Sequence, residues 1–160
     1  MGCGKTKLAR ELARRLDAVM VDLDDQITKR AGRSPAQLID EDGEPAFRAI
    51  ETDTLRHVLQ EGAARVIALG GGAWIQKANR QLVHQYLCVS IWLDGPFDMC
   101  WTRIEGSQED RPLGRTRDQA FALYQQRRPV YELATIHVPV HEGDFEKLVA
   151  RCLALFLEHE

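Results

Sequence analysis

Apolar residues along this chain change their spacing repeatedly, and each change marks an element. Leu8, Leu12 and Leu16 recur every four residues from about Lys5, which predicts an amphipathic helix. "AVMVDL" predicts a buried strand that ends in the acidic cluster Asp22, Asp24 and Asp25. Between Ser34 and Gln60 the pattern is helical with a break at "DGEP", where Gly43 ends one helix and Pro45 sits near the start of the next. Phe47, Ile50, Leu55, Val58 and Leu59 give that second helix an apolar face. "RVIALGGGA" predicts a short strand running into three glycines, and "YLCVSIWL" a longer strand, both apolar enough to be covered on two faces. After Pro96 come a helix, the polar stretch "EGSQEDRPLGR", a helix through "RDQAFALYQQRRPVYELA", a strand "TIHVPV" and a closing helix from about Asp144 to Leu157. The order is βαβα, so the parallel α/β class is expected.

Composition narrows the function. The 160 residues, 44% of them hydrophobic, suit one domain with its own core, spanning 1–160. A formal net charge of −3 argues against bulk-charge binding to nucleic acid or a membrane surface, so any anion must be met locally. Cys3, Cys88, Cys100 and Cys152 form no CxxC pair, which suits structural thiols in a reducing compartment rather than a disulfide framework or a zinc site. No apolar run approaches a membrane span and no signal-peptide core opens the chain, so a cytoplasmic location is expected.

Four short motifs carry candidate chemistry. Gly2, Gly4, Lys5 and Thr6 supply "GxGKT", the latter part of a phosphate loop GxxxxGK[ST], immediately before a helix whose N-terminus favours anions. Alone it also fits a glycine-rich tail with a chance Lys-Thr. "DLDD" puts Asp22 and Asp24 where a parallel strand ends, the place ligands of such folds bind, although acidic first turns of helices are common. "FRAIE" sets Arg48 and Glu51 at i and i+3 on one helical face, as a site pair or a solvated ion pair. "LGGGA" is either a plain turn or a place where backbone comes close to a ligand.

Taken in order, "GCGKT", "DLDDQI", "GRS", "DGEPAFRAIE", "LGGGA", "RPL" and "RRPVY" resemble the shikimate kinase family of P-loop, nucleoside-monophosphate-kinase-like enzymes, from Gly2 to about Ala134. The resemblance implies a three-layer α/β P-loop kinase fold around a parallel sheet of order 2-3-1-4-5, a substrate-binding helical region at about 33–61 and a lid at about 105–116. It implies transfer of the ATP γ-phosphate to the 3-hydroxyl of shikimate, with Mg²⁺, by a monomer that needs neither nucleic acid nor membrane. Gly2, Cys3, Gly4, Lys5, Thr6 and Lys7 would hold the nucleotide, with Lys5 on the β- and γ-phosphates. Thr6 and Asp22 would hold the metal, and Asp24 would orient or deprotonate the acceptor hydroxyl. Arg48 and Arg127 would clamp the substrate carboxylate with guanidinium forks, and Glu51 would fix Arg48. Gly71 would approach the substrate through its backbone, with Gly70 and Gly72 allowing the turn. Arg111 in the lid would stabilise transition-state charge, and Arg103 would lie against the adenine.

Phosphoryl transfer asks a protein mostly for positioning and electrostatics, so this set suffices without a covalent nucleophile. The five histidines fall outside every motif and are expected at the surface or in packing, as are the tryptophans, although Trp74 follows the glycines directly. Ile39 stands where the family often has an aromatic residue, and "EGSQED" is acidic for a lid. Gluconate kinase and a non-catalytic binding domain of the same fold are the alternative readings. The first loop glycine and the family's first strand fall before Met1, so Met1 is expected to be an internal methionine preceded by roughly ten further residues. Without that strand the "VIAL" and "LCVSIWL" segments would face an open slot and the chain would fold poorly.

Overall fold

The computed structural model describes residues 2–106, 116–141 and 143–159. Their elements run α1 (Lys5–Arg15), β1 (Met20–Asp22), α2 (Leu23–Ala31), α3 (Pro35–Asp42), α4 (Glu44–Glu61), β2 (Val66–Ala68), α5 (Gly71–Ile75), α6 (Lys77–Gln85), β3 (Ile91–Asp94), α7 (Phe97–Glu105), α8 (Arg117–Tyr131), β4 (Ile136–Pro139) and α9 (Phe145–Leu157). Local chemistry sets many of the boundaries. Ser34 and Gln37 form a reciprocal capping box at the start of α3, and Thr116 and Gln119 repeat it at α8. Gly32 and Gly62 end α2 and α4 in the left-handed region, at φ 69° and 65°. Gly43 separates α3 from α4, with a proline in the first turn of the latter, as the "DGEP" break predicts.

The strands pair in parallel, as the βαβα order requires. β1 lies on β2 with Met20 opposite Val66 and Asp22 opposite Ala68, and β3 lies on β4 with Ile91 opposite Ile136 and Asp94 opposite Pro139. The two pairs are separate two-stranded sheets among the described residues. They match the 2-3 and 4-5 halves of the expected order, and residues of both β2 and β3 line one cavity of about 710 Å³. Helices cover both faces of β2. Val66 packs on a core that includes Leu8, Leu12, Leu93, Val138 and Val149, whereas Ile67 packs on one that includes Leu23, Leu38, Phe47, Leu55 and Leu82.

Three expectations are corrected. The "YLCVSIWL" strand is only Ile91–Asp94, because Leu87 takes a positive φ of 54° and turns the chain after α6. The helix α6 went unrecognised because its apolar residues Leu82 and Val83 come only at its end. The second and third glycines of "LGGGA" open the short helix α5 rather than forming a turn.

Candidate active site

One half of the site is made of contiguous backbone. Gly2 and Gly4 have φ of 64° and 84°, a region that residues with a Cβ enter at a cost, and Gly4 leads into α1 without a side-chain cap. The first N–H groups of α1 are therefore available to an anion, beside Cys3, Lys5 and Thr6. The ammonium of Lys7 lies 4.2 Å over the Phe145 ring, so what Lys7 presents to the loop is its backbone. The Arg103 guanidinium, on α7, comes within 3.5 Å of the Gly2 carbonyl, which sets it against the loop.

Where α1 meets the end of β1, the Thr6 hydroxyl donates to Asp22 Oδ2 at 2.9 Å. The other oxygen of Asp22 accepts from the Asp24 backbone N–H at 3.1 Å and so caps α2. One carboxylate and one hydroxyl beside an anion-binding loop suit Mg²⁺, a hard cation usually held by one or two carboxylates together with phosphate oxygens and water. Among the described residues no cluster of three His, Cys, Asp or Glu side chains offers a fuller cage. The donors fit a metal shared with bound phosphate.

The other half is made of side chains brought from distant elements. Arg48 of α4 donates from Nη1 to both Glu51 oxygens, at 2.9 and 3.0 Å, and from Nη2 to Glu44 Oε1 at 3.0 Å. Glu51 is 1% exposed, and burial pushes its carboxyl above the ordinary range although the Arg48 charge pulls the other way. The pair is thus a held geometry and not a solvated surface pair, since exposed pairs at this spacing contribute little. On α8, Tyr131 donates from its hydroxyl to the Gly71 carbonyl at 3.0 Å. Burial raises the Tyr131 phenol, and the neighbouring Arg127 charge and hydrogen bond oppose that rise.

The three glycines join these parts. A Cβ on Gly70 would lie 3.4 Å from Asp24 Oδ1; one on Gly71 would lie 2.6 Å from the Tyr131 hydroxyl and 3.6 Å from Arg127 Nη1; one on Gly72 would collide with the Arg48 guanidinium. None of the three has a positive φ. Gly71 and Gly72 are needed for the close approach of the Tyr131 hydroxyl and the Arg48 guanidinium, whereas a Cβ on Gly70 would meet Asp24 at ordinary contact distance, and none serves the turn expected of Gly70 and Gly72.

Asp22, Asp24, Arg48, Glu51, the glycines and Arg127 therefore converge where β1 and β2 end, next to the phosphate loop. Arg111 and most of the 105–116 lid lie outside the described residues. Sequence reasoning assigned no part to Glu44 or Tyr131. Both were legible by spacing, since Glu44 precedes Arg48 by four residues and Tyr131 follows Arg127 by four, each on its partner's helical face. Trp74 does more than pack, for its indole N–H donates to the Val130 carbonyl at 3.0 Å and ties α5 to α8.

The sequence profile described as shikimate kinase matches residues 1–156. A shikimate kinase of Cereibacter sphaeroides is 37% identical over 154 residues, 94% of this chain and 76% of its own length. One of Ruegeria pomeroyi is 36% identical over 159 residues, 96% of this chain and 80% of the relative. Among solved structures, the shikimate kinase of Acinetobacter baumannii in complex with shikimate superposes with a TM-score of 0.91 at 29% identity, covering 100% of this chain and 90% of that one. That of Bacteroides thetaiotaomicron does so with a TM-score of 0.84 at 28% identity, over 98% and 93%. With the P-loop kinase fold, the ordered motifs and these relatives in agreement, the chain belongs to the shikimate kinase family.

Proposed function

We propose that this chain transfers the γ-phosphoryl group of ATP to the 3-hydroxyl of shikimate, giving shikimate 3-phosphate and ADP. The observation that carries the reading is the glycine triplet, whose members border in turn a carboxylate, Asp24, and two guanidinium groups, Arg127 and Arg48, beside an anion-binding loop. A small acid with a hydroxyl group fits that arrangement. Arg48 and Arg127 hold the substrate carboxylate, and Glu51 and Glu44 keep the Arg48 fork aimed. Asp24 accepts the hydrogen bond of the attacking hydroxyl and takes its proton as the phosphoryl group is transferred. Lys5 and the N–H groups at the start of α1 hold the phosphates, and Arg103, set against the loop at Gly2, lies against the adenine. Thr6 and Asp22 would hold Mg²⁺, which would supply charge neutralisation to the bound phosphates. Arg111 completes the phosphate contacts from the lid.

We read the protein as a cytoplasmic monomer acting on small molecules. Its net charge of −3 supports small-molecule partners over nucleic acid or a membrane surface, and among the described residues no helix is long and apolar enough to cross a membrane. A coupled ADP-release assay with ATP and Mg²⁺ tests the reading against its rivals. Turnover with shikimate and none with gluconate or without acceptor is expected. Turnover with gluconate would replace the acceptor assignment, and nucleotide binding without turnover would favour a binding domain.

A further inference from the structure

The phosphate loop holds a second chemical group that phosphoryl transfer does not use. Cys3 Sγ lies 2.9 Å from Cys100 Sγ, across 97 residues of chain, and the two residues are 8% and 2% exposed. The surroundings are shaped for the pair. A Cβ on Gly95 would lie 3.1 Å from the Cys100 sulfur and 3.2 Å from that of Cys3, so glycine leaves room for both. A Cβ on Gly2 would strike the Cys100 carbonyl, so the loop is seated directly on the first turn of α7. The other two cysteines, Cys88 and Cys152, take no part in this contact.

The two thiols are also unlike. The hydrogen bond from Cys100 pulls the Cys3 thiol below its ordinary range, whereas the same contact and burial push Cys100 up. Of the two sulfurs Cys3 is the readier to ionise and Cys100 the readier to keep its proton, the division of labour of an attacking and a resolving cysteine.

We propose that Cys3 and Cys100 form a reversible disulfide on exposure to hydrogen peroxide, and that this bond switches off nucleotide binding by tying the phosphate loop to α7. The Cys3 thiolate attacks one peroxide oxygen, the O–O bond breaks, and the hydroxide released takes a proton to leave as water, giving Cys3 sulfenic acid. The Cys100 thiol then attacks the sulfenic sulfur, the S–O bond breaks, and a second water leaves. The peroxide is reduced by two electrons and the thiol pair oxidised by two. Closure to a bond of about 2.05 Å draws the sulfurs together by less than an ångström. Cys3 stands between Gly2 and Gly4, whose φ of 64° and 84° define the loop, so a pull on its side chain turns the adjacent N–H groups away from the phosphates. A thiol reductant returns the loop to its binding form.

The effect on nucleotide rests on the loop assignment made above, so the two are measured separately. ADP binding by the reduced full chain, followed by calorimetry, tests the loop alone. The protein is then treated with equimolar hydrogen peroxide, alkylated and mapped by mass. The expected result is a linked peptide pair carrying Cys3 and Cys100 that has lost the mass of two hydrogens, with Cys88 and Cys152 alkylated. ADP affinity should fall by about tenfold or more and recover with dithiothreitol. Cys100→Ser should keep the affinity of the reduced protein and show no dithiothreitol-reversible loss. Absence of the linked peptides from the wild type would overturn the proposal whether or not the variant folds. So would a linked protein that binds ADP normally, or an equal reversible loss in Cys100→Ser.

Discussion

The two halves of the proposed active site, one for the nucleotide and one for the acceptor, are built in opposite ways. The nucleotide half is one contiguous stretch, Gly2 to Thr6, whose donors are backbone N–H groups at a helix N-terminus. The acceptor half takes Asp24 from α2, Arg48 and Glu51 from α4, Gly70–Gly72 from the end of β2 and the start of α5, and Arg127 and Tyr131 from α8. Backbone donors suit a phosphate chain, which offers many equivalent oxygens. A single carboxylate and a single reacting hydroxyl need forks and a base at set distances, and only side chains held by other side chains provide that. Arg48 illustrates it, with one edge on Glu51 and another on Glu44 before any substrate arrives. Errors in the acceptor half should therefore appear in substrate binding or turnover and spare the nucleotide, while errors in the loop should do the reverse.

The strongest break of this contrast is Asp24→Asn. The amide is nearly isosteric but takes no proton, so kcat should fall by ~10²–10⁴-fold while ATP affinity, measured by calorimetry, stays within a factor of about two. Near-normal turnover would remove Asp24 from the mechanism. Next comes Arg127→Ala, which takes away one fork and leaves the bound carboxylate short of a partner. It should cost ~2–5 kcal/mol, read as a raised KM for shikimate with an unchanged KM for ATP. An unchanged shikimate KM would show that the clamp is misassigned.

The glycines sharpen the comparison at smaller cost. Gly72→Ala forces the Arg48 guanidinium to move, and at ~1–3 kcal/mol should raise the shikimate KM alone. Gly4→Ala places a Cβ at φ 84°, costs a similar ~1–3 kcal/mol, and should raise the ATP KM alone. If both variants affected both substrates equally, the halves would not be separable. The smallest effect is one of pH. The Glu51 carboxyl is held above its ordinary 4.5 by burial, so the ionised form is the less favoured one in the fold. Stability from this group is fully present below pH 4.5 and is lost as pH rises through the folded value. Urea unfolding of wild type against Glu51→Gln should show the difference moving against the wild type as pH rises above 4.5. A difference that moved the other way would mean that Arg48 outweighs burial.

Element by element, legibility followed the range of the interactions. The start of α3 at Ser34 and Pro35, the break at Gly43 and the amphipathic α1 were readable, because capping, glycine dihedrals and helical periodicity act within a few residues. The "YLCVSIWL" strand was overextended, because an apolar run does not reveal that Leu87 and Cys88 close the turn after α6. Of the proposed site, Asp22, Asp24, Arg48, Glu51, Gly70, Gly71, Gly72 and Arg127 were legible as motif residues, and the structure brings them together. The partners Glu44 and Tyr131 were not, although each stands four residues from its arginine, because helical spacing shows which side chains can meet and not which of them the fold uses.

By itself the sequence determined the order of the four described strands, the parallel α/β class and the family, since these depend on spacing, local backbone preference and motifs kept in linear order. Only the tertiary structure decided that Gly70, Gly71 and Gly72 each border a different side chain, that Arg48 is gripped from two sides, and that Cys3 meets Cys100 across 97 residues. Such contacts are set by how helices seat on short parallel strands. No local rule encodes that seating, because it is fixed by the close packing of side chains far apart in the chain.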